Sequence, residues 1–322
     1  MSWHFCRTKP ILAELPKLER SLMADKRRTR RTGKWIDAST AAILILILLT
    51  PLTICASEPP FAKLQERLIA DGLDENLVRS VYQNPLVKLE VEVVAANLVR
   101  SEAALNYDQF LSKYSVHKAK RYIERYGASL EEANRRFGVE PPVVVAVLMV
   151  ETALGTYPGK YQTINVLSTM AVSQEPAVWE KIFAGLTEEQ KHMQSRAVMS
   201  KRLTKRAFRS YRELKAVLNY AHKNDIEPFT LVGSSEGAIG IPQFLPSNIE
   251  QYGRDGDGDG RIDLFNHPDA IASVAFYLRA HHWGRAENAK QKKKVILHYN
   301  RSNYYADTVY TLAQKLNGNK PL

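Results

Sequence analysis

The stretch Pro141-Pro-Val-Val-Val-Ala-Val-Leu-Met-Val-Glu-Thr-Ala-Leu-Gly155 holds one ionisable side chain in fifteen residues. Two prolines suit a first helical turn, where their missing N–H would have had no partner anyway, and Gly155 follows as a stop signal. The segment is apolar on every side, so it is predicted to be a short helix at the centre of the core. Glu151, near its end, is then drawn out of water. Desolvation disfavours the charged form and leaves a carboxyl that keeps its proton near neutral pH, the state a general acid needs. A helix-end contact or an ion pair would perturb the carboxyl as well, so this helix alone leaves both roles open.

The surrounding sequence reads as mostly helical, without internal repeats. Phe61 to Ile69 and Glu75 to Tyr82 form two short amphipathic patterns split by Asp71-Gly72. Ser129-x-x-Glu132 is a capping-box pattern for a helix ending near Gly138. From Glu175 to Asn224 the chain is helical and strongly charged, with Lys201-Arg-Leu-Thr-Lys-Arg206 and Arg209; a solvated helix face explains it better than a polymer-binding patch. Ala270 to His281 and Lys294 to Leu316 supply later helices, and no alternating pattern is long enough for a large sheet.

With 322 residues, 45% of them hydrophobic, the chain can bury one large or two modest cores. Residues 1–56 read as a leader outside that core. Ala41 to Leu49 is an apolar run preceded by Lys26-Arg-Arg-Thr-Arg-Arg31 and Lys34 and followed by Pro51 and Cys55-Ala-Ser57, the order of an export signal. Met23 is the expected start of translation. Cleavage near Ser57 is expected, with a lipid-modified Cys55 or a retained membrane anchor as alternatives, and the protein is placed in the periplasm. The leader holds ten Lys/Arg and four Asp/Glu, so the net charge of +11 falls to +5 over residues 57–322. That balance suits an anionic polymer or surface, and no nucleic-acid-binding motif accompanies it. Cys6 and Cys55 both lie in the leader, so residues 57–322 have neither a disulfide scaffold nor cysteine chemistry.

A second motif, Asp255-Gly-Asp-Gly-Asp-Gly-Arg-Ile-Asp-Leu-Phe-Asn266, has EF-hand spacing. Asp255, Asp257 and Asp259 take loop positions one, three and five, Gly260 the sharp turn at six, the Arg261 carbonyl position seven, and Ile262 the apolar anchor. Asn266 stands at position twelve, where a bidentate Glu is usual, which removes one charge and one ligand atom. A single structural calcium, away from any chemistry, is the expected cofactor; a bare Gly/Asp turn is the alternative.

Gly233-Ser-Ser-Glu-Gly-Ala-Ile-Gly-Ile-Pro-Gln-Phe-Leu-Pro-Ser247 offers close backbone approach through its glycines, with Ser234 and Gln243 able to hydrogen-bond a sugar. His298-Tyr-Asn-Arg-Ser-Asn-Tyr-Tyr305 concentrates aromatic and amide groups. Each segment alone is better explained as a tight junction or a helix with core tyrosines, because turn chemistry accounts for glycines and prolines without any ligand.

Taken together, Val150-Glu-Thr-x-x-Gly155, Gly237-Ala-x-Gly-x-x-Gln-Phe-x-Pro-Ser247, the Asp255 loop leading into His267-Pro-Asp-Ala-Ile271, and Tyr299-Asn300 resemble the membrane-bound lytic murein transglycosylase B family, in the same order and from about Phe61 to Leu316. Pro242, Glu236 and Asn266 depart from the family pattern. The resemblance implies a mainly α, lysozyme-like catalytic domain with a helical side domain, here residues 170–230, and one EF-hand-like calcium loop, residues 255–266. It implies cleavage of the β-1,4 bond between N-acetylmuramic acid and N-acetylglucosamine to 1,6-anhydromuramic ends. Glu151 would act as acid and then base, with Ser234, Gln243, Tyr299, Asn300 and Tyr304 or Tyr305 holding the sugars. Peptidoglycan strands are the implied partner, along with cell-wall synthesis, divisome or elongasome proteins, and membrane contact would run only through the leader. A lysozyme-type hydrolase using Glu236 or another acid, and a non-catalytic peptidoglycan-binding protein, are the alternatives.

Overall fold

In the computed structural model, residues 59–99, 106–193, 195–320 and 322 are described, and the expectations for residues 1–56 lie outside them. Among the described residues are fourteen α-helices and one two-stranded sheet. No helix there is long and apolar enough to cross a membrane. The helices are α1 Ala62–Ala70, α2 Glu75–Gln83, α3 Val91–Val99, α4 Lys113–Arg125, α5 Gly127–Phe137, α6 Pro141–Thr152 and α7 Thr163–Ala171. The charged region follows as α8 Pro176–Ala184, α9 Glu188–Met193 and the long α10 Arg196–Lys223. The chain ends with α11 Pro246–Tyr252, α12 His267–Ala280, α13 Ala289–Tyr299 and α14 Asn303–Leu316.

Helix α6 is central, as its composition requires. Every residue from Val143 to Met149 is buried, and α14, α4, α12 and α5 enclose it. At about 1.5–3 kcal/mol per fully buried large aliphatic side chain, this helix is one of the main contributors to the core. Its start follows the proline rule, with Pro141 and Pro142 in the first turn. Glu140, at the N-cap, makes no capping bond. Its carboxylate instead accepts from Trp283 Nε1 at 2.6 Å and Lys292 Nζ at 3.1 Å, which ties α6 to α13.

Two expected boundaries move. The capping box at Ser129 is not used: α5 starts at Gly127, after Tyr126, which has no side-chain cap bond. Tyr126 ends α4 and stacks on His267 at 4.4 Å between ring centroids, so tertiary packing sets this corner. Helix α6 stops at Thr152, three residues before Gly155. Ala153 takes the left-handed conformation (φ 49°) that glycine usually supplies, while the N–H groups of Ala153 and Leu154 donate to Met149 O and Leu148 O. Lys118 Nζ donates to Ala153 O at 2.9 Å and holds the turn.

The only sheet among the described residues pairs β1, Tyr161–Gln162, with β2, Val232–Gly233, antiparallel. It brings the glycine segment beside the chain that leaves α6. Helix α10 packs on α7 and α11, and its buried Glu213 accepts from the N–H and Oγ of Ser247 at the start of α11.

Candidate active site

Glu151 lies in the last turn of α6 and is partly buried. Its Oε1 accepts a 2.5 Å hydrogen bond from the Tyr305 hydroxyl, in the first turn of α14. Burial pushes the Glu151 carboxyl up from 4.5 to about 7, and the Tyr305 hydrogen bond pulls in the opposite direction. The negative end of the α6 dipole acts with burial. At neutral pH the group is therefore divided between acid and base forms. No other carboxyl group among the described residues contributes to this shift.

Tyr299, at the end of α13, stacks on Tyr305 at 6.3 Å and donates from its hydroxyl to Pro242 O at 2.5 Å. Burial and the nearby Glu151 charge raise both phenols well above their ordinary value, so they remain donors. Pro242 thus has a defined place despite departing from the family pattern: its carbonyl anchors Tyr299. Gln243, next to it, has a left-handed backbone (φ 51°) and donates from Nε2 to Pro158 O at 2.9 Å and Gly240 O at 3.0 Å. Thr152 closes the frame. Its Oγ1 donates to Ile241 O at 2.8 Å and accepts from Gly155 N at 2.9 Å, so the residue after Glu151 ties the helix end to the loop carrying Pro242 and Gln243.

Gly155 and Gly237 combine a positive φ with close neighbours. A Cβ on Gly155 (φ 82°) would lie 3.2 Å from both His267 Cε1 and Ile241 Cγ1. On Gly237 (φ 84°) it would lie 2.5 Å from Leu167 Cδ2.

The other expected binding residues are placed differently from one another. Asn300 caps the end of α13, directly after Tyr299. Ser234 turns its Oγ inward as a loop cap, accepting from the N–H groups of Glu236 at 3.3 Å and Ala238 at 3.1 Å. Tyr304 does not contact Glu151. It is 67% exposed and stacks on Tyr107 at 6.5 Å, and the contact with the acid belongs to its neighbour Tyr305. Helical spacing carried the signal: Tyr305, Val309, Leu312 and Ala313 form the buried stripe of α14. Glu236 forms ion pairs with Arg206 at 3.4 Å and Arg209 at 3.1 Å, which fasten the glycine loop to α10.

The Asp255 loop is held by its own backbone. Asp255 accepts from Gly258 N at 2.6 Å and Gly260 N at 2.8 Å, bonds that hold its carboxyl below the usual range. Carboxylate oxygens of Asp255, Asp257 and Asp269 lie within 4.8 Å of one another. Asp259 is outside this group and accepts from Arg261 N at 2.8 Å. Asp269, in the first turn of α12, was not singled out by loop spacing; it is buried, its carboxyl is raised to about 6, and it accepts from Gly256 N and Asp263 N. Asn266 Nδ2 donates to Asp257 at 2.7 Å, while its Oδ1 is buried without a donor. An oxygen-only set with a buried acceptor left unpaired fits a hard cation.

An apolar central helix that delivers one shielded carboxyl to the junction of a glycine-rich loop and two later helices defines a lysozyme-like fold. The Transglycosylase SLT domain matches residues 56–292, and the chain belongs to that family. It is 29% identical over 179 residues to membrane-bound lytic murein transglycosylase B of Escherichia coli (strain K12), an alignment covering 56% of this chain and 42% of that relative. The chain thus spans less than half the length of that protein. Among solved structures, soluble lytic transglycosylase SltB1 from Pseudomonas aeruginosa superposes with a TM-score of 0.65 at 22% identity, covering 81% of this chain and 99% of that one. Escherichia coli Slt35 in complex with calcium gives 0.63 at 22% identity, covering 82% and 94%. SltB3 from Pseudomonas aeruginosa in complex with NAG-NAM-pentapeptide gives 0.62 at 21%, covering 80% and 79%.

Proposed function

We propose that this protein is a lytic transglycosylase of peptidoglycan, cleaving the β-1,4 bond between N-acetylmuramic acid and N-acetylglucosamine without water. The observation that carries the reading is Glu151: one carboxyl, raised by burial to about 7, with no second acid among the described residues contributing to that shift. Ordinary glycosidases need two carboxyl groups on opposite sides of the sugar. Glu236, the other acid near a site motif, is neutralised by Arg206 and Arg209.

In the proposed course, protonated Glu151 gives its proton to the glycosidic oxygen as the bond to C1 of the muramic residue breaks. The substrate's acetamido oxygen stabilises C1. Ionised Glu151 then removes the proton of the C6 hydroxyl, whose oxygen attacks C1 and releases the acetamido group. Glu151 is again protonated, and the product ends in a 1,6-anhydro ring. One residue serves as acid and then base, which its midrange pKa suits. Tyr305 would orient the carboxyl throughout, Tyr299 would support the Pro242–Gln243 loop, and Gln243, Asn300 and Tyr304 would hold the sugars. Ser234 contributes by shaping the loop. A relative solved with NAG-NAM-pentapeptide supports the choice of substrate.

Calcium would be held by Asp255, Asp257 and Asp269, with Asn266, Asp259 and the Arg261 carbonyl from the loop; a relative solved with calcium supports this. The ion would clamp the loop onto α12 and supply no chemistry. Residues 1–56 would export the chain to the periplasm, with the helical segment 170–230 forming the side region of the catalytic part.

Mass spectrometry of muropeptides released from purified peptidoglycan tests the reading. Anhydro products, one water lighter than hydrolytic ones and absent with Glu151→Gln, are expected. Reducing ends would make the protein a hydrolase, and no release would favour a binding role.

A further inference from the structure

A cavity of about 680 Å³ opens on the turn that follows Thr152, between α4 and the start of α12. Glu151 is not among its walls. Its floor is rigid: the Tyr122 hydroxyl meets His267 Nδ1 at 2.9 Å, and Tyr126 stacks on the same imidazole. Lys118 forms one wall and is already committed to Ala153 O and Thr156 Oγ1. The remaining cations are Arg121 and Arg125, one helical turn apart on α4 and exposed; Glu124 lines the same wall, and neither arginine forms an ion pair with it or with any other carboxylate among the described residues. Two unpaired guanidinium groups over an aromatic floor form a receptor for carboxylates, since each presents a planar fork of donors. Residues at i and i+4 bring their Cβ atoms within about 5–6 Å, a spacing that suits two carboxylates on one short peptide.

We propose that this cavity is a peptide subsite, in which Arg121 and Arg125 bind carboxylates of the acidic stem peptide carried by the muramic residue. The inference rests on the peptidoglycan reading and adds to it a preference for strands that keep their peptides. The turn Ala153–Thr156 connects the subsite to the Glu151 helix, so an occupied cavity positions the glycan through the segment that carries the acid. Arg121 and Arg125 act in binding and take no part in the proton transfers.

Two measurements on the full chain test it. In the first, a free tripeptide of alanine, D-glutamate and diaminopimelate is titrated into the Glu151→Gln protein by calorimetry or NMR. Saturable, salt-sensitive binding is expected, weakened at least about tenfold by Arg121→Gln with Arg125→Gln and partly restored by lysine at both positions. Equal binding by the arginine and glutamine proteins, or no binding by either, overturns the proposal. In the second, peptide-bearing strands are compared with strands stripped of peptide by an amidase. The double glutamine variant is expected to raise KM about tenfold on the first substrate, leave kcat unchanged and leave the stripped strands unaffected. Equal loss on both substrates overturns the subsite, with matching melting temperatures confirming that the variant is folded. If the unaltered protein cleaves neither substrate, the transglycosylase reading fails, and the tripeptide titration still decides the subsite.

Discussion

Replacing Glu151 by glutamine should make the protein more stable at alkaline pH and leave it nearly unchanged in acid. Glutamine has the shape of the protonated acid and can still accept from Tyr305, so the two proteins differ chiefly in one titration. In the unfolded chain the carboxyl ionises at about 4.5; in the folded one it ionises at about 7 because burial penalises the charge. A carboxyl raised in this way binds more protons folded than unfolded between these values, so rising pH destabilises the native state across that window and the penalty is complete above it. At about 1.4 kcal/mol per pH unit, the gap amounts to about 3 kcal/mol by pH 8. Below 4.5 both states hold the proton and the penalty vanishes.

The assay is denaturant or thermal unfolding of both proteins from pH 4.5 to 8. Every other carboxylate titrates alike in the two and cancels in the difference. The stability gap should widen by about 3 kcal/mol in favour of the glutamine variant, about 6 °C in melting temperature for a domain of this size. Parallel curves, or a variant that loses ground as pH rises, would refute the claim that burial holds the proton on Glu151.

Tyr305→Phe removes the one hydrogen bond that lowers the Glu151 pKa, so the alkaline limb of the pH–rate profile should move upward from about 7 while the maximal rate falls; an unmoved limb would argue against the contact. Gly155→Ala should cost about 1–3 kcal/mol in unfolding measurements, because φ is 82° and both His267 and Ile241 crowd the new methyl; a neutral result would mean that the turn relaxes freely. Asp257→Ala should abolish a calcium-dependent rise in melting temperature yet spare most turnover at low temperature, and proportionate loss of both would contradict a purely structural ion.

Much of this arrangement was legible where a residue type has few physical uses. A helix apolar on every side belongs at the centre of the core and draws its one acid out of water, so the placement of α6 and Glu151 was legible in composition, whereas the role of Glu151 was not. The ends of elements were less legible because distant partners set them. Nothing within Ser129-x-x-Glu132 reveals that Tyr126 stacks on His267 and starts α5 earlier. Nothing near Gly155 reveals that Lys118 and Ile241 hold the helix end at Thr152. Asp269 escaped for a related reason: loop counting ends at position twelve, whereas the third converging carboxylate comes from the next helix. Tyr305 differs, since its stripe with Val309 and Leu312 was present in the sequence and only its pairing with Glu151 required the fold.

The proton inventory of the site gives the last step. Tyr299 and Tyr305 sit close to Glu151, and each is raised well above the ordinary phenol value by burial and by that carboxylate. When Glu151 ionises, neither phenol can compensate by losing its own proton, because a second negative charge in the same enclosed space would be costlier still. Glu151 therefore supplies the single exchangeable proton near neutrality, and Tyr305 stays a donor in both halves of the cycle. The ionised acid should accordingly produce one alkaline limb of unit slope in kcat/KM, centred near 7. A slope of two, or a limb that survives Glu151→Gln, would require a second titrating partner that the geometry does not provide.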